Sequence, residues 1–343
     1  MLKLQYLLAD SRSQPPALDA DSLGTVTFSA PTKPLSATDL IAATPCLHAE
    51  IAYESWRFAS KMQTGSTGTL HYRCCDELLL GHISLDEARF PGDGDRSALQ
   101  RATAAAYQEI FTLLKRLPYA HLWRVWNFIP RINEIEHGLE RYRQFNIDRQ
   151  VAFAANGRAI AGNVPAATAV GTAAGNLTLY FIAGRSAPAA IENPRQTAAY
   201  HYPAEYGPRT PVFARASAVT CAGEDLLFIS GTASIVGHRT LHENDVAAQT
   251  RELLANIDSL LAAANEITQR RKFARSDLAY KVYVRHSADF GSIKTEIERW
   301  LGAVPDAIYL KADICRSELL VEVEASAGHS TEIIGENSEH MRT

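Results

Sequence analysis

Hydrophobic positions in the second half of the chain switch between two periods. LLFISGTAS (226–234) is a short apolar run ending in a glycine-containing turn, the pattern of a buried strand. Asp245 then opens a helix in which Leu253, Leu254, Ile257, Leu260 and Leu261 form one stripe. LAYKVYV (278–284) alternates as a half-buried strand does. Ile293, Ile297, Trp300 and Leu301 mark the face of a second helix, and AIYLKADIC (307–315) and ELLVEVEA (318–325) close the half as two β-rich runs.

The first half predicts the same order. LLLGHISL (78–85) reads as a strand, Ala106, Ile110, Leu113, Leu114 and Leu117 stripe a helix, and LWRVWNF (122–128) is a second strand. Ile135, Leu139 and Tyr142 continue with helical spacing through ERYRQF, before two further β-rich runs, RQVAFAA (149–155) and NLTLYFIAG (176–184). A Val-Pro pair precedes the last strands of each half, at Val164-Pro165 and Val304-Pro305. The repeated order predicts an α+β chain of two tandem domains, with helices packed on mixed β-sheets. The expected boundaries are 1–184, a proline-rich connection over 185–212, a second domain over 213–328 and a polar tail over 329–343. Pro188, Pro194, Pro203, Pro208 and Pro211 exclude regular elements from the connection, whose aromatic and charged content points to an ordered, functional segment. No function is assigned to residues 1–22 or 326–343, and the final stretch, GENSEHMRT, reads as a disordered tail.

Composition narrows the function classes. Hydrophobic residues make up 46% and charged residues 21%, ordinary for a globular protein, and the net charge of −4 argues against nucleic acid or an anionic membrane as partner. No run approaches the roughly 20 apolar residues of a membrane span, and no signal-peptide pattern is present, so the cytoplasm is the expected location. The 5 cysteines, Cys46, Cys74, Cys75, Cys221 and Cys315, show neither disulfide-framework nor zinc spacing. His238 and His242 stand four apart but before the helix begins and without an evident third ligand, and no phosphate-binding glycine loop follows a strand. Neither a metal nor a cofactor is expected.

The most informative local feature is VEVEA (321–325). Glu322 and Glu324 project to one face of a strand, where their repulsion, if shielded from water, raises the proton affinity of at least one. A carboxylic acid still protonated near neutral pH suits general-acid chemistry. Leu177 and Leu179 occupy the matching place in the first half, so the feature belongs to one half only. The alternative is a solvent-facing strand bearing two ordinary glutamates. Arg143, Arg149, Arg209, Arg215 and Lys311 gather near the connection and its neighbours. Arginine's planar fork holds carboxylates bidentately, so such a set suits a substrate with more than one carboxylate; its alternative is plain surface charge.

The second half resembles the YjgF/RidA family of small α+β proteins through ISGTAS (229–234), QTRELLANIDSLL (249–261), YKVYV (280–284) and VEVEA. Glu322 falls on the glutamate that positions water and substrate in the imine deaminases of that family. The arginine those enzymes use falls on Ala307, so simple deamination is not expected. The whole chain resembles the chorismatases, which fuse a degenerate YjgF-like half to an active one of the same chorismate mutase-like fold. RYRQFNIDR (141–149), YGPRTPVFARA (206–216), SGTASIVGH (230–238) and KADICRSELLVEVEA (311–325) carry this resemblance, closest to the xanthomonad-type enzymes that make 3-hydroxybenzoate and 4-hydroxybenzoate. It implies that chorismate is the substrate and that Glu322 protonates its enol ether and releases pyruvate. It also implies that Arg143, Arg149, Arg209, Arg215 and Lys311 supply cations and Tyr206 a hydroxyl. Gly231 and Cys315 match marks of the benzoate-forming branch, the thiol either assisting proton removal as a partly acidic group or serving as a small buried hydrophobe. A monomer or a homotrimer is compatible with the resemblance. The competing readings are a water-adding chorismatase, an imine deaminase and a non-catalytic small-molecule binder.

Overall fold

The two halves share one topology. In the computed structural model, which describes residues 1–10, 15–30 and 40–335, the chain opens with β1 (Leu2–Ala9), β2 (Ser22–Phe28), β3 (Leu40–Ala42) and β4 (Ile51–Phe58). The first half then runs β5 (Gln63–Thr67), β6 (Leu70–Cys74), β7 (Leu78–Leu85), α1 (Ala98–Arg116), β8 (His121–Pro130), a small hairpin of β9 (Ile135–Glu136) and β10 (Leu139–Glu140), α2 (Arg141–Ala155), β11 (Ala166–Thr172) and β12 (Leu177–Gly184). The second runs β13 (Ala189–Ile191), β14 (Ala216–Cys221), β15 (Glu224–Thr232), a hairpin of β16 (Ile235–Val236) and β17 (Arg239–Thr240), α3 (Val246–Ile267), β18 (Ala279–Val284), α4 (Phe290–Leu301), β19 (Ala307–Lys311) and β20 (Val321–Ala327); β21 (Ser330–Gly335) ends the described chain. The sheets are ordered β11-β8-β12-β7-β6-β5 and β19-β18-β20-β15-β14-β13, and strand for strand they correspond. Each contains one parallel pair, β8 with β11 and β18 with β19, joined through a crossover helix.

Each sheet buries one face under its helices. Ser97 caps α1 with a reciprocal capping box to Gln100, and Asp245 caps α3 by accepting from the Ala248 amide. Their apolar stripes pack on Leu79, Val125, Leu179 and Phe181 in the first half, and on Leu227, Val282, Val321 and Val323 in the second. The opposite faces of both sheets meet a third layer, a five-stranded sheet ordered β21-β1-β4-β2-β3. There Trp56 lies 6.4 Å from Trp126 and 6.3 Å from Phe228, and Phe28 lies 6.2 Å from Phe128. Among the described residues no helix is long and apolar enough to cross a membrane.

The duplicated α+β order agrees with the hydrophobic pattern, but several local expectations are corrected. RQVAFAA is not a β-run; it completes α2, and the matching strand is β11. Phe145, Ala152 and Phe153 do follow helical spacing, while the rest of the buried face is polar, carrying Arg141, Gln144, Asn146, Asp148 and Arg149. Ile135 and Leu139 belong to the hairpin before that helix, not to the helix. Leu177 and Leu179 face the helices, so the residues matching Glu322 and Glu324 are Thr178 and Tyr180, one step along; on a strand that step changes the face. The proline-rich connection contributes β13 as an edge strand. Residues 1–22 are not featureless, because β1 pairs with β4 and β21, and the expected tail therefore begins in a strand. Residues 336–343, nearly all of GENSEHMRT, lie outside the described residues.

Candidate active site

A cavity opens between the halves, bounded by α2 and β11 on one side and by β15, β20 and the 202–215 segment on the other. It encloses about 830 Å³ counting its solvent-filled mouth. A β-bulge in β15 shapes its floor, since pairing with β20 shifts between Ile229 and Thr232. Two groups there bond to the other half: Ser230 Oγ accepts from the Ala167 amide while donating to Ala214 O within its own half, and the Gly231 amide donates to Thr168 Oγ1 at 2.9 Å. The bulge thus locks the two halves together where the cavity forms. Gly231 also leaves space, because a Cβ there would stand 2.1 Å from Glu322 Oε1.

Glu322 and Glu324 share a face of β20 and are both 4% exposed, yet their environments separate them. Glu324 accepts from Trp126 Nε1 at 2.6 Å, Arg124 Nη2 at 2.8 Å, Lys281 Nζ at 2.9 Å and Tyr283 OH at 3.2 Å. Burial opposes its charge, but Lys281, Arg124 and the Thr168 hydroxyl together hold the carboxyl below the usual range. Glu322 has no hydrogen-bond partner among the described residues and projects into the cavity. Burial first, and then the Glu324 charge, push its carboxyl up to about 8 against the pull of Arg124 and Arg215. One carboxylate is therefore fixed as an anion, and the other is kept as an acid with its oxygens free for a ligand.

Facing this acid are guanidinium groups with donors that have no partner among the described residues. Arg149 is 2% exposed; its Nε donates to Tyr107 OH at 2.6 Å and its Nη1 to Val212 O, leaving Nη2 unpartnered. Tyr107 passes the order on through Asn127, which it meets at 2.7 Å. Arg215 Nη2 donates to Tyr202 OH at 2.7 Å and to Thr197 O at 2.9 Å, leaving Nε unpartnered. Arg316 lies over the Tyr206 ring at 4.1 Å, donates through Nη1 to His238 O at 2.9 Å, and leaves Nη2 unpartnered. Buried donors without acceptors are costly, at about 1–3 kcal/mol each, so this arrangement is built for an anionic ligand.

Of the residues singled out from the sequence, Glu322, Cys315, Arg143, Arg149, Tyr206, Arg215 and Gly231 line the cavity. Arg143 lies at its rim, 3.2 Å from Glu140. Lys311 and Arg209 do not line it. Lys311 ends β19 on the side of Ala307 and Tyr309, which pack toward the helices, and is exposed; Arg209 is exposed with Nη1 3.4 Å from Gln150. The expected partly acidic thiol is also corrected, as burial and the Glu322 charge push Cys315 up to about 12 and keep it protonated. Arg316, Tyr142, Tyr202, Asn127, Asn146 and Thr168 complete the lining without having been singled out. Arg316 directly follows Cys315 and its neighbourhood was legible, whereas Thr168 sits in a strand of small residues with no chemical signal.

Comparison with known proteins gives consistent matches. The profile of a family described as "Chorismatase FkbO/Hyg5-like, N-terminal" matches residues 54–183. A Streptomyces rapamycinicus protein named chorismatase is 39% identical over 278 residues, covering 79% of this chain and 80% of its own length. A Streptomyces hygroscopicus protein named 3-hydroxybenzoate synthase is 40% identical over 232 residues, covering 65% of this chain and 68% of its own. A solved crystal structure of a chorismatase superposes with a TM-score of 0.82 at 30% identity, covering 95% of this chain and 98% of that one.

Proposed function

The chain belongs to the chorismatase family, and we propose that it is an enzyme that converts chorismate to pyruvate and 3-hydroxybenzoate with Glu322 as the proton donor. The observation that carries this reading is the buried Glu322 carboxyl, without a hydrogen-bond partner among the described residues, in a cavity whose arginines hold unpartnered donors. Chorismate offers two carboxylates to such donors and an enolpyruvyl ether to the acid. Arg149, Arg215 and Arg316 bind the carboxylates, with Arg143 at the rim and Tyr206 as a hydroxyl donor.

Glu322 gives its proton to the terminal methylene carbon as the C=C electron pair forms the new C–H bond. The resulting oxocarbenium ion lies beside the Glu322 carboxylate, which stabilises it electrostatically. The ring hydroxyl oxygen then closes on the neighbouring ring carbon as that carbon's bond to the ether oxygen breaks, and the ether oxygen leaves as the keto oxygen of pyruvate. The hydroxyl proton returns to Glu322, and the epoxide then breaks its C–O bond at the carbon that bore the hydroxyl. The carbon keeping the oxygen loses its hydrogen as a proton as the ring becomes aromatic, and the oxygen gains a proton to give 3-hydroxybenzoate without consuming water. The 3-hydroxybenzoate synthase name of one relative supports this branch. Loss of the ring proton with direct elimination would give 4-hydroxybenzoate, and attack by water the dihydroxycyclohexadienoate.

Incubation with chorismate, with pyruvate and aromatic products separated by chromatography, tests the proposal. Pyruvate with 3-hydroxybenzoate is expected, and Glu322→Gln, which keeps shape but not acidity, is expected to slow release roughly 10²–10⁴-fold. Undiminished release by that variant would refute Glu322 as the acid, and absence of pyruvate from the folded wild-type protein would refute the reaction.

A further inference from the structure

Beneath the cavity floor, four charged side chains form a chain that joins all three sheets. Glu54 of β4 lies 2.5 Å from Lys281 of β18, Lys281 lies 2.9 Å from Glu324 of β20, and Glu324 lies 2.8 Å from Arg124 of β8. All four are buried, none more than 4% exposed. Two carboxylates balance two cations. Glu54 is further held by Trp56 Nε1 at 2.8 Å and by Tyr180 OH at 3.0 Å, and Tyr180 OH in turn accepts from Lys281 at 2.9 Å. The chain reaches the cavity through Glu324, beside Glu322 on one strand face, and through Arg124 Nη2, 2.5 Å from Thr168 Oγ1. None of the four lines the cavity itself; they act on it through these neighbours.

We propose that Glu54, Lys281, Glu324 and Arg124 are positioning residues for the reaction, whose balanced charge keeps the proton on Glu322. This rests on Glu322 being the proton donor. The groups facing Glu322 are Glu324 on its own strand, Tyr283 of β18, Arg124 of β8, Tyr142 and Arg149 of α2, Arg215 before β14, and Cys315 and Arg316 before β20. Those facing Glu324 are Lys281 and Tyr283 of β18, Arg124 and Trp126 of β8, Tyr180 of β12, Tyr6 of β1 and Glu54. Burial holds Tyr6, Tyr180 and Tyr283 neutral, so the balance at the floor is set by the two carboxylates and the two cations. In a buried site charges a few ångströms apart act strongly. Neutralising Glu324 leaves an excess cation that favours Glu322 as a carboxylate. Neutralising Glu54 acts with the same sign from farther away, and neutralising Lys281 acts in the opposite direction.

The test is the pH dependence of pyruvate release from chorismate by the wild type, Glu322→Gln, Glu324→Gln, Glu54→Gln and the charge-balanced double variant Glu324→Gln/Lys281→Met, each with a thermal melt. The pH above which release is lost is expected to fall by about two units in Glu324→Gln and about one in Glu54→Gln. At pH 8 these shifts correspond to losses on the order of 10²-fold and 10-fold, recovered in more acidic buffer, with KM little changed. The double variant is expected to return toward the wild-type profile. A purely structural role would give losses that acid does not recover. Folded variants with an unshifted profile would overturn the inference, as would a double variant that behaves like Glu324→Gln alone. If Glu324→Gln does not fold, Glu54→Gln and the double variant decide. An active wild type and an inert Glu322→Gln with unshifted network variants would sink this inference alone. An inactive wild type or a fully active Glu322→Gln would sink the proposed reaction with it.

Discussion

At the scale of single residues, the site depends on the Glu322 carboxyl being free, buried and protonated. Gly231→Ala puts a methyl group where its Oε1 lies, and because the end of a flexible side chain can swing aside, the cost falls on chemistry rather than folding. Thermal stability is expected to change little, while pyruvate release drops at least about 10-fold, since misplacing a reacting group by about an ångström can cost 10²-fold. Cys315 gives a contrasting expectation. With its thiol pushed up to about 12, Cys315→Ala should leave the pH profile of pyruvate release unchanged between pH 6 and 9, and a wild-type limb that disappears in the variant would show that the thiol titrates there. The sequence made the paired glutamates visible because a two-residue spacing on a strand fixes their common face. It did not reveal which keeps its proton, because Arg124 and Lys281 reach Glu324 from distant strands. The same gap explains Lys311 and Arg209, whose charge was legible but whose direction was not.

At the scale of elements, α2 shows how a site can hide a helix. Its buried face spends Arg141, Gln144, Asp148 and Arg149 on hydrogen bonds instead of apolar packing, and that weakens the helical stripe on which the reading of RQVAFAA depended. Helices whose buried faces are mainly apolar, such as α1 and α3, were legible because burial sets their period. In the proposed reaction, Arg149 is the residue of α2 that binds substrate. In Arg149→Lys, the loss of a fork that bonds Tyr107, Val212 O and a substrate carboxylate should raise KM for chorismate roughly 10–100-fold, as expected for a charge-assisted hydrogen bond. Steady-state kinetics separates this from a loss confined to kcat, which would place the side chain on the reacting atoms instead.

At the scale of the whole molecule, the duplication is complete in topology and broken in chemistry, with Thr178 and Tyr180 standing where the other half has Glu322 and Glu324. The third sheet was not legible because its strands come from both ends of the chain, and no local period announces that β1 pairs with β21. Burying a neutral acid in the cavity between the halves has a consequence for stability. The Glu322 carboxyl ionises near 4.5 when unfolded and near 8 when folded, so the folded chain holds a proton that the unfolded chain has released between those values. The stabilisation is full below about 4.5 and is lost as pH rises to about 8, at up to about 1.4 kcal/mol per pH unit. Wild type is therefore expected to lose more melting temperature between pH 6 and 8 than Glu322→Gln, and equal slopes would show an ordinary carboxyl at this position.

The most direct measurement is the infrared difference spectrum between wild type and Glu322→Gln across pH 6–10. A carboxylic-acid carbonyl band is expected in the wild type at neutral pH, giving way to carboxylate absorption around pH 8. A carboxylate signal already complete at pH 7, with no acid band, would contradict a protonated Glu322 and with it the proton donor on which the proposed reaction depends.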